Sequence, residues 1–297
     1  MAVGEIITAA RYNLMQAKVK AVLGNGAGLY GYGQTTESSA VQVVTNIVRA
    51  SHMQKLKSDL NKCVIHQTNV ATTVPDIAVE ADITDTTYAQ YEAESDSVYA
   101  NHLQFDLNQM TAPESKVTSR RTQAWGGGGD PQVIRHEFTV KFDDADHARH
   151  FFNSGGEIRF RGTLTGGVGA KYTEWLAMFT TMGIVKINYN TTTADSGTAF
   201  NIGFEDLTTA YQTIWTKAGS GAYSENLITY KAKANGKTLT ILAEFYDGEA
   251  LAGVTPGTAG VDERVNGTLT SIIEQQRATG SFVEVATPVY KNTIELG

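Results

Sequence analysis

The period of the hydrophobic pattern changes partway along this chain, and that change limits the folds it can adopt. In the second half, apolar and polar residues alternate from Ile134 to Phe142. A period of two sends neighbouring side chains to opposite faces of the backbone, as in a strand with one buried face. The same alternation predicts strands over 157–164, 185–189 and 239–245, and further strands are predicted near 211–215, 227–232, 265–273 and 282–285.

Two short helices are predicted between these strands, at Asp143–Asn153 and Thr173–Met182. The second is followed by Gly183, and helices commonly carry a glycine directly after their last residue. About eight strands with antiparallel-style alternation favour a sandwich of two sheets. We therefore predict a mainly antiparallel β-sandwich-like domain with short helical inserts over 132–297.

The first part of the chain has a helical period instead, and it contains a short internal repeat. Apolar residues recur at the spacing of one helix face in two places, and each member of the second set follows its counterpart by the same offset. The first set is Tyr12, Met15, Val19, Val22 and Leu23, and the second is Met53, Leu56, Leu60, Cys63 and Val64. Two amphipathic helices cannot bury their stripes alone, so we expect them to pack together or on a partner. A third helix is predicted after Asp82–Thr87, and Val41–Val48 fits either a strand or a helix.

Glycine-rich stretches suggest where the chain divides. Glycines between residues 24 and 33 make a flexible connection between the first two predicted helices. From Pro113 the chain is charged and polar, and it then runs into Gly126–Gly129. Four consecutive glycines have no conformational preference, which is typical of a linker or a long loop. The predicted organisation is a helical docking or oligomerisation region over 1–112, a Gly-rich linker or long loop over 113–131, and a β-rich domain over 132–297. The expected fold class is α+β.

Composition and charge disfavour several classes of partner. Twenty-four basic and 31 acidic side chains give a formal net charge of −7, and a surface of that sign repels phosphate, so we do not expect nucleic-acid binding. No stretch reaches the roughly 18 apolar residues of a membrane span, and the first residues lack the pattern of a signal peptide, so we expect no membrane partner and synthesis in a cytoplasm. The lone Cys63 cannot form an internal disulfide.

One pair of histidines has a spacing that metal ligands use. His147 and His150 are one helical turn apart on a predicted helix, and Glu137 and Asp144 are near in sequence. Two imidazoles on one helix face can share a metal ion. The pair has no HExxH or cysteine pattern beside it, so we favour a solvated helix face and expect no metal site.

Three features that could indicate catalysis or cofactor binding have simpler explanations. The glycines from Gly24 to Gly28 follow a helix, whereas a dinucleotide-binding fingerprint follows a strand. Cys63 lies on an apolar helix stripe, where a thiol behaves as a small hydrophobe. The adjacent acids Asp143/Asp144, Glu205/Asp206 and Asp262/Glu263 are typical of turns and helix starts. We therefore expect no catalytic residues and no cofactor, and we interpret the chain as a protein without enzymatic activity.

Aromatic residues in loop-like segments leave two interpretations open. These residues are Tyr30, Tyr32, Trp125, Tyr211, Trp215 and Tyr223. Exposed rings can stack on sugars, which would make the chain a glycan- or receptor-binding adhesin module. Aromatic residues are also enriched in subunit interfaces, and we favour that interpretation.

Several segments resemble virion structural proteins of tailed bacteriophages, cyanophages in particular. The block Phe-Phe-Asn-Ser-Gly-Gly-Glu-Ile-Arg-Phe over 151–160 carries the resemblance, together with Gly162-Thr-Leu-Thr165, Trp175 and Met182-Gly-Ile-Val185. Asp262–Thr270 with Arg277, and Ile7–Asn13, have the same character. Asn153–Gly156 was also weighed as a phosphate-binding loop, but no Lys-Ser/Thr follows its glycines.

The resemblance implies a structural role in the particle, in the tail, neck or a fibre, and it carries over no catalytic residues. The expected partners are other copies of the chain and other virion proteins, with a host-surface glycan as the partner in the alternative interpretation. The expected location is the virion.

Overall fold

The computed structural model describes residues 8–41, 47–78, 83–127, 130–248 and 264–296. It divides into two compact units, and the chain passes between them several times. The first unit comprises Met1–Ala112, Asp146–Gly156 and Arg277–Thr287. The second comprises Pro113–Ala145, Glu157–Gln276 and Pro288–Gly297.

The first unit is built on three helices, α1 (Ala9–Leu23), α2 (Ala50–Thr68) and α3 (Asp85–Ala100). Both repeated stripes are buried inside it apart from Val64, which is half-buried; Tyr12, Val19, Leu56 and Leu60 are all fully buried. Packing these stripes against one another removes apolar surface from water, which stabilises each helix more than its own propensity does. The two stripes therefore find their partners within one chain.

A fourth helix, α4 (Ala145–Asn153), lies with the first unit from Asp146 onward. Arg149 binds it to the glycine-rich connection, donating from Nη2 to the Asn25 carbonyl at 2.5 Å and from Nη1 to the Tyr30 carbonyl. The turn after α4 requires glycine, because Gly155 has a φ of +87° and a Cβ there would lie 2.2 Å from the Phe105 ring. Packing against Phe105 therefore explains the glycine in the turn at 153–156.

The second unit contains two antiparallel sheets. One sheet has the strand order β1 (Glu114–Arg121), β10 (Thr268–Gln276), β3 (Glu157–Thr165), β4 (Val185–Ile187), β5 (Thr192–Thr193). The other has the order β11 (Val289–Leu296), β2 (Val133–Lys141), β9 (Thr238–Tyr246), β8 (Leu227–Asn235), β7 (Gln212–Ala218), β6 (Thr198–Ala199). Helices followed by two antiparallel sheets confirm the predicted α+β class and the sandwich-like arrangement of the sheets.

The predicted alternation decides which side chains fill this sandwich. Phe160 of β3 stacks on Tyr230 of β8 with ring centroids 5.5 Å apart. On the outer face of β9, Glu244 pairs with Arg135 at 2.7 Å and with Lys231, both on neighbouring strands. A helix, α5 (Ala170–Met182), adds Trp175, Met178 and Phe179 to the core.

The structure differs from the sequence prediction in three main segments. The stretch 113–131 is not a plain linker, because β1 lies inside it and pairs with β10 along its length. The segment 282–285 lies in the first unit and forms no named strand, whereas β11, which the sequence did not predict, adds a strand at 289–296. Residues 42–46 of the ambiguous segment Val41–Val48 lie outside the described residues, as do Asp82, Gly128 and Gly129.

Each sheet has one very short edge strand, and the other two edge strands lie next to each other. β5 and β6, at one end of each strand order, have two residues each. β1 and β11, at the other ends, lie beside one another, and the Asn292 side chain donates to the Thr118 carbonyl at 3.5 Å. Short or covered edges protect a sheet against strand addition. Among the described strands, the two sheets therefore offer little free edge for pairing with a strand of another chain.

Candidate interaction surface

The tryptophans assigned to glycan contact are buried. Trp125 packs edge-on against Trp175 with centroids 4.5 Å apart, and Trp215 donates from Nε1 to the Ser196 carbonyl at 3.1 Å. Tyr32 is also buried, and its hydroxyl donates to the His102 carbonyl at 2.7 Å. A ring buried within one chain can neither stack on a sugar nor contact another subunit, so these three residues act in the cores of their units, and the interface interpretation is wrong for them.

The remaining three aromatic candidates are partly exposed. Tyr30 stacks on Tyr99 with centroids 4.5 Å apart. Tyr211 lies under the Lys233 ammonium, 4.2 Å from the ring centroid, and its hydroxyl donates to Glu137. Both rings are therefore engaged by neighbouring side chains, and Tyr223 lies in a short 3-10 turn.

The two histidines weighed as metal ligands are engaged by different backbone carbonyls. His147 Nε2 lies 3.0 Å from the Ala286 oxygen, and His150 Nε2 lies 2.9 Å from the Asn25 oxygen. Among the described residues, no group of three or more His, Cys, Asp or Glu side chains is arranged to hold a metal ion.

The acidic pairs considered for catalysis lie in turns or a short 3-10 helix where they are described. Glu205 accepts a hydrogen bond from the Tyr189 hydroxyl at 2.5 Å, and Asp206 accepts one from the Gly203 amide at 2.9 Å. Asp143 and Asp144 lie in the turn before α4. Asp262 and Glu263 lie outside the described residues.

Each unit contains a buried histidine that sequence reasoning did not single out. His136 Nδ1 lies 2.8 Å from the Ser271 hydroxyl, so this contact joins β2 of one sheet to β10 of the other. Burial lowers the pKa of His136 to about 4. His66 Nε2 lies 3.2 Å from the Ser154 carbonyl, and burial lowers its pKa to about 4 as well. Both rings are at most 1% exposed, so a substrate has no access to them.

Cys63 lies in the core of the first unit, where burial raises the pKa of its thiol. A thiol kept in its neutral form is a poor nucleophile. The structure therefore places Cys63 with the apolar side chains of the α2 stripe.

The most distinctive surface is the solvent-facing side of α1. Ala10, Leu14 and Ala17 are exposed there, at the spacing of a second helix stripe, and Leu14 is 64% exposed. The flank facing α3 is polar, since Arg11 bonds to Glu92 at 2.7 Å and Lys18 pairs with Asp96.

We call Ala10, Leu14, Ala17 and Ala21 the outer stripe of α1. Its C-terminal end adjoins a groove of about 460 Å³, lined by Gln16, Ala17, Lys20, Ala21, Asn25 and Gly26. The helix is thus apolar on two sides, and the described residues of the first unit cover only one of them. The sequence contains a signal for this surface, because the residues of the outer stripe follow one another at intervals of four, three and four positions.

The chain was compared with family models, curated proteins and solved structures, and none of them matches it. Within the described ranges, no helix is long and apolar enough to cross a membrane.

Proposed function

We propose that this chain is a non-enzymatic structural subunit of a tailed-phage virion, in its tail, neck or a fibre, and that it acts by contacts with copies of itself and with other virion proteins. The observation that carries the subunit role is the outer stripe of α1. An amphipathic helix normally presents a polar face to water, and an exposed apolar stripe beside a groove is typical of a contact surface. The assignment to a phage particle depends on the segments that resemble virion proteins.

The stripe has the composition of a close helix contact. Three of its four residues are alanines, so another helix can approach the backbone of α1, and Leu14 then supplies the largest apolar side chain of the contact. Burying Leu14 on association would contribute about 2 kcal/mol per copy. We expect a homotypic contact of this kind to close into a symmetric oligomer.

A variant at Leu14 tests the subunit role. We expect the purified full chain to sediment as a defined oligomer at micromolar concentration, and Leu14→Glu to shift it toward the monomer, because the contact would bury an unpaired carboxylate. The matched control is Leu107→Glu, since Leu107 is 70% exposed and lies outside the stripe. A wild-type chain that sediments as a compact monomer would contradict the proposal, as would equal effects of the two variants.

The glycan-binding alternative has less support from the described side chains. The candidate residues Trp125, Trp215 and Tyr32 are buried, and Tyr30 and Tyr211 already contact neighbouring side chains.

The assignment to a phage particle is tested by looking for density or peptides of this chain in purified phage particles. Particles that lack the chain would contradict the assignment.

A further inference from the structure

A lysine and an aspartate form a buried pair in the second unit. Lys171 lies in the first turn of α5, and Asp247 directly follows β9. The lysine Nζ lies 2.9 Å from Oδ2 of the aspartate, and the two side chains are 3% and 0% exposed. Burying two charges costs hydration energy that their attraction often fails to recover. An ion pair of this kind is therefore a weak source of stability.

The surroundings of the pair are tightly packed. A Cβ at Gly126 would lie 1.8 Å from Asp247 Oδ2, so the carboxylate rests against the backbone of the loop. Trp175 follows Lys171 by one helical turn and packs on Trp125, which directly precedes Gly126. Asn226 is fully buried nearby and accepts a hydrogen bond from the Gly248 amide at 3.1 Å. The amine and the carboxyl group are thus held in contact away from bulk water.

We propose that Lys171 and Asp247 condense into an intramolecular isopeptide bond. In the proposed reaction, one proton first passes from the ammonium to the carboxylate across their 2.9 Å contact, which leaves an amine beside an acid. The amine nitrogen attacks Cγ of Asp247, a bond forms between Nζ and Cγ, and the bond from Cγ to one carboxyl oxygen breaks. That oxygen leaves with two of the protons that began on the ammonium, as one water molecule.

The reaction needs no oxidant, metal or second substrate. The fold holds the two reacting groups in contact before the reaction begins. Such positioning can lower the activation free energy of a reaction by a large amount. The product is a neutral amide that removes both buried charges. It would tie the start of α5 to the end of β9 covalently and would restrict the unfolded chain as a disulfide does, by a bond that reducing agents cannot break.

The intact mass of the folded, full-length chain tests this proposal. We expect wild-type protein to weigh less than its sequence by one water molecule, and a tryptic digest to contain a branched peptide that joins Lys171 to Asp247. Lys171→Arg keeps a cation beside the carboxylate but forms no such amide, so it should have the full mass of its sequence. Lys231→Arg is the control, because Lys231 pairs with Glu244 while 32% exposed, and it should retain the wild-type deficit.

Two results would overturn the proposal. The first is a full sequence mass for wild-type protein whose circular dichroism spectrum shows that it is folded. The second is a water deficit that persists in Lys171→Arg, since the water would then have been lost elsewhere. If Lys171→Arg does not fold, the branched peptide of the wild-type protein decides the question alone.

Discussion

His66 and His136 show how single residues make the stability of this protein depend on pH. Burial lowers the pKa of each to about 4 from an ordinary value of 6.5. Below pH 6.5 the unfolded chain therefore binds protons that the folded chain does not, and the free energy of unfolding falls as the pH falls. We expect a loss of about 2 kcal/mol for each histidine at pH 5. Denaturant titrations at pH 7 and pH 5 measure this loss, and the double variant His66→Gln/His136→Gln should reduce it. An unchanged difference in the double variant would show that other groups cause the dependence.

At the scale of elements, Gly162 fixes how α5 lies against β3. A Cβ at this position would lie 2.5 Å from two carbons of the Phe179 ring, although the backbone conformation itself tolerates alanine. We expect Gly162→Ala to lower the free energy of unfolding by about 1–3 kcal/mol, because the helix must shift away from the sheet. Thr163→Ala, whose side chain points to the opposite face, should change it by about 0.5 kcal/mol or less. Adding Phe179→Leu to Gly162→Ala should recover part of the loss, and purely additive effects in this double-mutant cycle would contradict the contact.

At the scale of the whole molecule, the first unit is assembled from three separate stretches of chain. The Thr111 amide donates to the Arg277 carbonyl at 2.8 Å, and the Gln34 side chain donates to the Glu284 carbonyl at 3.0 Å. A fragment of residues 1–112 would lack these partners, and it would also lack Phe151 and Phe152, which are buried. We expect this fragment to unfold without a cooperative transition, measured by thermal circular dichroism, while the full chain unfolds cooperatively. A sharp transition in the fragment would show that 1–112 is sufficient for folding.

Local periodicity was enough to predict most elements. The stripes of α1 and α2 were visible because a helix buries every third or fourth residue, and β2, β3 and β9 were visible because a strand buries every second one. β1 was missed because its burial pattern does not alternate cleanly, and a charged stretch next to glycines reads as a loop. β11 was missed because the apolar residues of Val289–Leu296 do not alternate regularly with polar ones.

The sequence by itself determined the fold class and the buried faces of the main elements. These properties depend on neighbours a few positions apart, and their period is written along the chain. Only the tertiary structure decided that Trp125 and Trp215 are buried, that Asp146–Gly156 joins the helical unit, and that Lys171 meets Asp247. Each of these three features depends on contacts between residues that are distant in sequence. A local pattern carries no information about which distant segment will pack against it.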